Sequence, residues 1–188
     1  MKYLFGLACV LACVALIGSA SAGNFYPALL DDTYVSTEEG EEVFGSKDEL
    51  WVVSEDDEPA MITYLYFMKV GSKSADEIDS ATLSLYVTEV EEPGIVGIYF
   101  SEGGFSESNA NWLEDELEYD DEADDTEDID EDGWYDFDAT ELVKKAIDRC
   151  PSCPFSIVIV SEGDASVAFS SKEGSDDNKA VLKFTTVE

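Results

Sequence analysis

Histidine is absent from the 188-residue chain. That removes the commonest general base, the Ser–His and Cys–His nucleophile pairs, and every histidine-ligated zinc site. Positive charge is scarce, with ten Lys and Arg against 44 Asp and Glu and a formal net charge of −34. Nucleic acid and anionic membranes are gripped by clustered basic side chains, so neither is an expected partner. Four cysteines occur, and Cys9 and Cys13 fall in an N-terminal apolar stretch, which leaves only Cys150 and Cys153 beyond it. Past that stretch no apolar run approaches the ~18 residues of a membrane span, so insertion is not expected. With dozens of carboxylates, none is marked as an acid–base pair, and no catalytic role is expected.

What the chain does have begins with a leader. Lys2 precedes a nearly unbroken apolar run from Tyr3 to Ile17, and Ala20-Ser21-Ala22 forms a small-x-small site. This pattern predicts a signal peptide over 1–22, cleavage before Gly23, and a secreted product. Cleavage would remove one basic residue and no acidic ones. The remainder, 23–188, is one domain's length and rich enough in apolar residues (45% of the chain) to fold rather than stay disordered.

The dominant period is two. In "ATLSLYVTEV", Leu83, Leu85 and Val87 alternate with Thr82, Ser84 and Tyr86, the pattern of a half-buried strand. "MITYLYFMKV", "GIVGIYF", "FSIVIVS", "ASVAFSS" and "KAVLKFTTV" read alike, with "TYVS", "LWVV" and "WYDFD" as shorter strands. Turn signals such as "EEPG", "SEGG" and "SEGD" separate them. About nine strands predict an all-β, jelly-roll-like sandwich. One segment breaks the period: Leu142, Val143, Ala146 and Ile147 fall at helical spacing. A short helix over about 140–148 is predicted, capped by Asp138 or Thr140 and stopped by Pro151, covering one open end of the sandwich.

In order, "DDTYVST", "TYLYF", "IDSATLSLYV", "WLEDELEYDD", "WYDFDATELVKKAI" and "VAFSSKEGSDDNKAVLKF" resemble the DNRLRE domain, also classed as carbohydrate-binding module family 96. The last of these is similar to the family's closing hairpin with its Ser-Lys-Glu signature. The resemblance implies an extracellular, non-catalytic β-sandwich whose partner is a polysaccharide or another matrix component. Characterised members bind acidic polysaccharide, for which a basic groove is needed. The basic residues here are few: Lys144, Lys145 and Arg149 on the helix, and Lys172, Lys179 and Lys183 near the last hairpin. They read better as salt-bridge partners in an acidic field. Neutral sugars stack on exposed aromatic faces, for which Trp51, Trp112, Trp134 and Tyr135 are the available platforms, although tryptophans in strands are more often core.

The most unusual stretch runs from Asp120 to Asp132, where ten of thirteen residues are carboxylates. We read 120–133 as an acidic loop. Inside it lies the D-x-D-x-D-G string Asp128-Ile129-Asp130-Glu131-Asp132-Gly133, whose spacing turns alternate carboxylates toward one ion. Asp128, Asp130, Asp132 and Asp136 are thus candidate calcium ligands. The twelfth position, a bidentate Glu in helix-flanked calcium loops, is Ala139, and the rival reading is a solvated acidic loop. "CPSC" is expected to close as a disulfide, Cys150 to Cys153, pinning the turn after the helix. Finally, "NFYPALL" at Asn24–Leu30 would let an acidic, calcium-dependent matrix subunit self-assemble by adding a strand to a neighbour's sheet edge. The alternative is a first strand docked on its own domain.

Overall fold

The computed structural model of the protein describes residues 23–56, 58–71, 73–114 and 117–187. The expected signal peptide, 1–22, lies outside the described residues. Eleven strands form: β1 (Asn24–Phe25), β2 (Leu29–Ser36), β3 (Glu49–Glu55), β4 (Glu58–Phe67), β5 (Ile78–Glu92), β6 (Gly94–Ser101), β7 (Asp125–Ile129), β8 (Gly133–Asp138), β9 (Phe155–Ser161), β10 (Ser166–Ser170) and β11 (Val181–Thr186). One helix, α1 (Thr140–Arg149), falls between β8 and β9.

All pairings are antiparallel, and the sheet curls into two layers. One layer carries β2, β4, β9, β6 and β7, and the other carries β8, β5, β10, β3, β11 and β1. They are joined where β3 pairs with β4. The all-β, jelly-roll-like sandwich expected from the alternation is the fold, with two strands more than expected.

The alternation dictates the core. Leu83, Leu85 and Val87 of β5, with Phe137 of the adjoining β8, share one core with Leu65 and Phe67 of β4 and Ile157 and Ile159 of β9. Leu142, Val143, Ala146 and Ile147 bury the apolar face of α1 on the same core. Neither expected residue is the cap: the N-cap is Ala139, with no side-chain cap bond, and Asp138 just before it accepts from the Thr140 N–H at 2.9 Å, while Thr140 Oγ1 accepts from the Ala81 N–H at 2.9 Å. The Thr140 hydroxyl also donates to Asp138 Oδ1, and this bond, with that from the Thr140 N–H, holds the Asp138 carboxyl below its ordinary range.

A second apolar cluster lies on the outer face of β4, β9 and β6. Ile62, Tyr64, Tyr99, Val158 and Val160 are covered there by Phe105, Ala110 and Leu117 from the β6–β7 connection. The connection can lie flat because Gly103 and Gly104 approach Leu117 and Tyr66 too closely for a side chain of their own. β4 and β9 are therefore buried on both faces.

Two further expectations are corrected, and one open choice is decided. Residues 120–133 are not one loop, since Asp125–Ile129 pairs with β6 from Ile98 to Gly94. The chain turns at 130–132, where Gly133 takes φ 142°, a conformation costly for any other residue. β10 and β11 are not a hairpin: both run antiparallel to β5, along the same edge, and residues 171–180 form an excursion between them. "NFYPALL" docks on its own domain, with Asn24 and Phe25 pairing with Thr185 and Phe184 and Phe25 stacked on Phe184 at 4.9 Å. Of the two readings of this segment, the first strand docked on its own domain is the one that the pairing bears out.

Candidate functional site

On the outer face of the second layer, strand alternation sends Trp51 and Glu49 of β3, Ala168 and Ser170 of β10, and Tyr86 and Thr88 of β5 to the same side. Their register is fixed by the pairs Ala168–Trp51 and Ser170–Glu49. Ala168 lies fully buried between Trp51 and Thr88, and Ser170 lies beside Glu49. An open cleft of about 640 Å³ occupies this side, lined by Trp51, Tyr34, Thr88 and Ser170. Thr88 Oγ1 donates to Glu49 Oε1 at 3.0 Å, and Tyr34 stacks on Phe44 at 4.2 Å, so the lining is fixed by its own contacts. The cleft is acidic, with Asp48, Glu49 and Glu173 on its walls against the single base Lys47.

The other aromatic candidates part company. Trp134 is 48% exposed on the same layer and packs edge-on against Tyr86 at 5.4 Å, beyond the cleft. Trp112 packs partly buried against the outer-face cluster. Tyr135 lies against the main core, and its hydroxyl donates to the Glu131 carbonyl at 3.1 Å. Trp112 and Tyr135 thus lie half-buried against apolar clusters, and the tryptophan that borders the cleft is Trp51.

The four candidate calcium ligands are not brought together. Asp128 on β7 pairs with Ile95 and belongs to one layer, whereas Asp136 on β8 pairs with Ser84 and belongs to the other. Each neighbours a core residue, Ile129 or Phe137, and by strand alternation points away from the core on its own side. Asp136 instead accepts from Ser84 Oγ, and Asp130 lies beside the Tyr135 hydroxyl in the turn. Asp132 is exposed in that turn.

Among the described residues, the carboxylates gathered within 4.8 Å of one another are Asp32, Glu107 and Glu173. Asp32 sits early in β2, Glu107 in the β6–β7 connection, and Glu173 in the excursion between β10 and β11. Asp32 is 1% exposed. Its Oδ2 accepts from the Lys172 main-chain N–H at 2.8 Å, and its own N–H donates to Glu107 Oε2 at 3.3 Å. Burial pushes the Asp32 carboxyl up to about 7, with Glu173 adding in the same direction and Lys172 opposing. Gly45 holds Glu107 close, since a Cβ there would fall 2.1 Å from the Glu107 carbonyl oxygen.

No reading of spacing points to Glu107. Asp32 and Glu173, however, lie in "DDTYVST" and "SSKEGSDD", two of the segments that carry the family resemblance.

Five of the six basic residues named from the sequence are engaged as ion-pair partners. Lys144 meets Glu141, Arg149 meets Glu102, Lys179 meets Asp176, and Lys145 bridges Asp120 and Asp124. Lys172 meets Glu107 and Glu173 and donates to the Leu30 carbonyl at 3.2 Å. Such pairs present no basic groove to a polyanion. Cys150 and Cys153 are joined by a disulfide with Cα atoms 5.3 Å apart, directly after α1. Among the described residues no helix is long and apolar enough to cross a membrane.

No curated protein matches the chain. The family model described as carbohydrate-binding module family 96 matches residues 24–186, nearly the whole span from the first strand to the last. The chain belongs to carbohydrate-binding module family 96.

Proposed function

We propose that the protein is a secreted, non-catalytic module that binds a neutral polysaccharide in the cleft beside Trp51. The observation that carries this reading is half-buried Trp51 on the wall of an open cleft that it shares with Thr88 and Ser170. A sugar ring presents an apolar face that stacks on an indole, and its hydroxyls find acceptors and donors in Glu49, Thr88 and Ser170. Three carboxylates against one lysine on the walls favour an uncharged chain over a polyanion, because each acidic sugar would enter against like charge. Secretion is supported by the leader pattern, and the absence of a catalytic role by membership of a family of binding modules.

The test is retention of the protein on insoluble neutral polysaccharides and on acidic ones, followed by calorimetry with soluble oligosaccharides of whichever is bound. Binding to a neutral glycan is expected. Trp51→Ala should weaken it at least tenfold, about 1.4 kcal/mol, with an unchanged melting midpoint. Trp134→Ala, beyond the cleft, should change it less than threefold. Binding confined to acidic glycans, or a Trp51→Ala protein that binds as the parent does, would refute the assignment.

A further inference from the structure

We propose that Asp32, Glu107 and Glu173 hold a calcium ion where the beginning and the end of the folded chain meet. One carboxylate oxygen from each lies within 4.8 Å of the others. Two oxygens on a single calcium at ~2.3–2.6 Å can be no more than ~4.6–5.2 Å apart, so the trio already has the spacing of a coordination shell.

A second observation does not depend on the crowding of acids. Asp32 Oδ1 is buried and has no hydrogen-bond partner. Its sister oxygen is taken by the Lys172 N–H, which leaves Oδ1 to serve as a ligand. Buried polar atoms are nearly always satisfied, and one left unpaired within reach of two other carboxylates marks the place of a missing positive charge.

Lys172 does not fill that place. Its ammonium contacts Glu107, Glu173 and Asp31 and the Leu30 carbonyl. One ammonium thus meets three carboxylates, with Asp32 a fourth negative neighbour, and the cluster keeps an excess of negative charge with Lys172 fully engaged. The ligand set is all oxygen, which selects a hard cation. Calcium accepts irregular, partly bidentate carboxylate shells and completes six to eight positions with water or main-chain oxygen, whereas magnesium demands a near-ideal octahedron. The three ligands come from β2, the β6–β7 connection and the 171–180 excursion, so one ion would tie together the segments that strand pairing leaves unjoined.

The cluster shares Glu173 with the cleft wall, but the inference does not rest on the glycan reading, and its test uses no sugar. Calcium chloride is titrated into chelator-treated protein at physiological ionic strength, by calorimetry and by thermal melting. One saturable site per chain is expected, with the midpoint raised by about 5 °C or more at saturation. Asp32→Asn should weaken the site at least tenfold. Glu173→Gln, at a position open enough to leave folding intact, should do the same. The triple variant Asp128→Asn/Asp130→Asn/Asp132→Asn should bind as the parent does, and magnesium should bind at least tenfold more weakly than calcium. The assignment is overturned by the lack of a saturable site, by full binding in Glu173→Gln, by loss in the triple variant, or by equal affinity for magnesium.

Discussion

Tyr64→Ala is expected to lower the unfolding free energy by about 3–5 kcal/mol, measured by urea denaturation. Tyr64 is fully buried in β4, the strand that is covered on both faces. Its neighbours Leu65 and Phe67 point into the main core, while its own ring lies under the β6–β7 connection, 5.8 Å from the ring of Phe105. The phenolic oxygen also accepts from the Leu117 N–H at 3.4 Å. Truncation therefore opens a cavity and takes away the surface on which residues 102–124 rest. Tyr64→Phe keeps the ring and should cost only about 1 kcal/mol, the usual net worth of one hydrogen bond. Limited proteolysis provides the structural readout: the alanine variant should be cleaved within 102–124 well below its melting midpoint. A cost under about 1.5 kcal/mol, or a connection as resistant as in the parent, would mean that the outer cluster is dispensable.

That double burial explains much of what the sequence revealed and concealed. β5 was legible because Leu83, Leu85 and Val87 alternate with polar residues over a long strand, and α1 because four apolar residues repeat at helical spacing. The family was legible because several segments occur in the family's order, each weak alone. The acidic stretch was misjudged for a physical reason. β7 reads "DTEDI", with only Ile129 reaching the core, and a strand with one apolar residue has no visible period. Its acids also suit its place: β7 ends the sheet order, and carboxylates along an unpaired edge repel any strand that would add to it. At the other end of the stretch, Asp125 Oδ2 accepts from the Asp138 N–H at 2.7 Å, fastening β7 to β8 where no ladder joins them.

The carboxylate cluster was illegible for a different reason. Asp32 and Glu173 approach only because β2 and the excursion after β10 pack together, and no local spacing encodes a contact across most of the chain. Trp112 and Tyr135 were offered as sugar platforms on residue type alone. Type does not say which face of the fold an aromatic occupies, and both lie half-buried against apolar clusters. Trp51 carries the same chemistry on the outward phase of β3, and that phase could be read from the alternation of Leu50 and Val52 on either side of it.

Lys145→Met is expected to cost about 2–3 kcal/mol at neutral pH, less than the 3–5 of a fully buried pair because water reaches the lysine. Lys145 Nζ lies 2.8 Å from Asp124 Oδ1 and 2.7 Å from Asp120 Oδ2, on a side chain 39% exposed, while the Asp124 side chain is 2% exposed. Asp124 Oδ2 also accepts from the Phe100 N–H at 3.1 Å, so the carboxylate pins the end of the β6–β7 connection to both β6 and α1. Burial pushes the Asp124 carboxyl up, and the hydrogen bond and charge of Lys145 oppose that rise. Removing the lysine leaves burial unopposed and raises the folded-state pKa further. A carboxyl whose folded-state pKa exceeds its unfolded one holds its proton more tightly when folded. Its contribution to stability therefore falls as pH climbs from the unfolded value through the folded one. The deficit of Lys145→Met relative to the parent should thus be largest at pH 7 and shrink as the pH is lowered toward the carboxylate range. The double variant Lys145→Met/Asp124→Asn should recover part of the loss at pH 7, since an amide needs no counter-charge but keeps an oxygen for the Phe100 N–H. Urea unfolding of the three proteins across pH decides the matter. A deficit that is the same at every pH, or a double variant weaker than Lys145→Met alone, would show that Lys145 acts through its packing and not by neutralising Asp124.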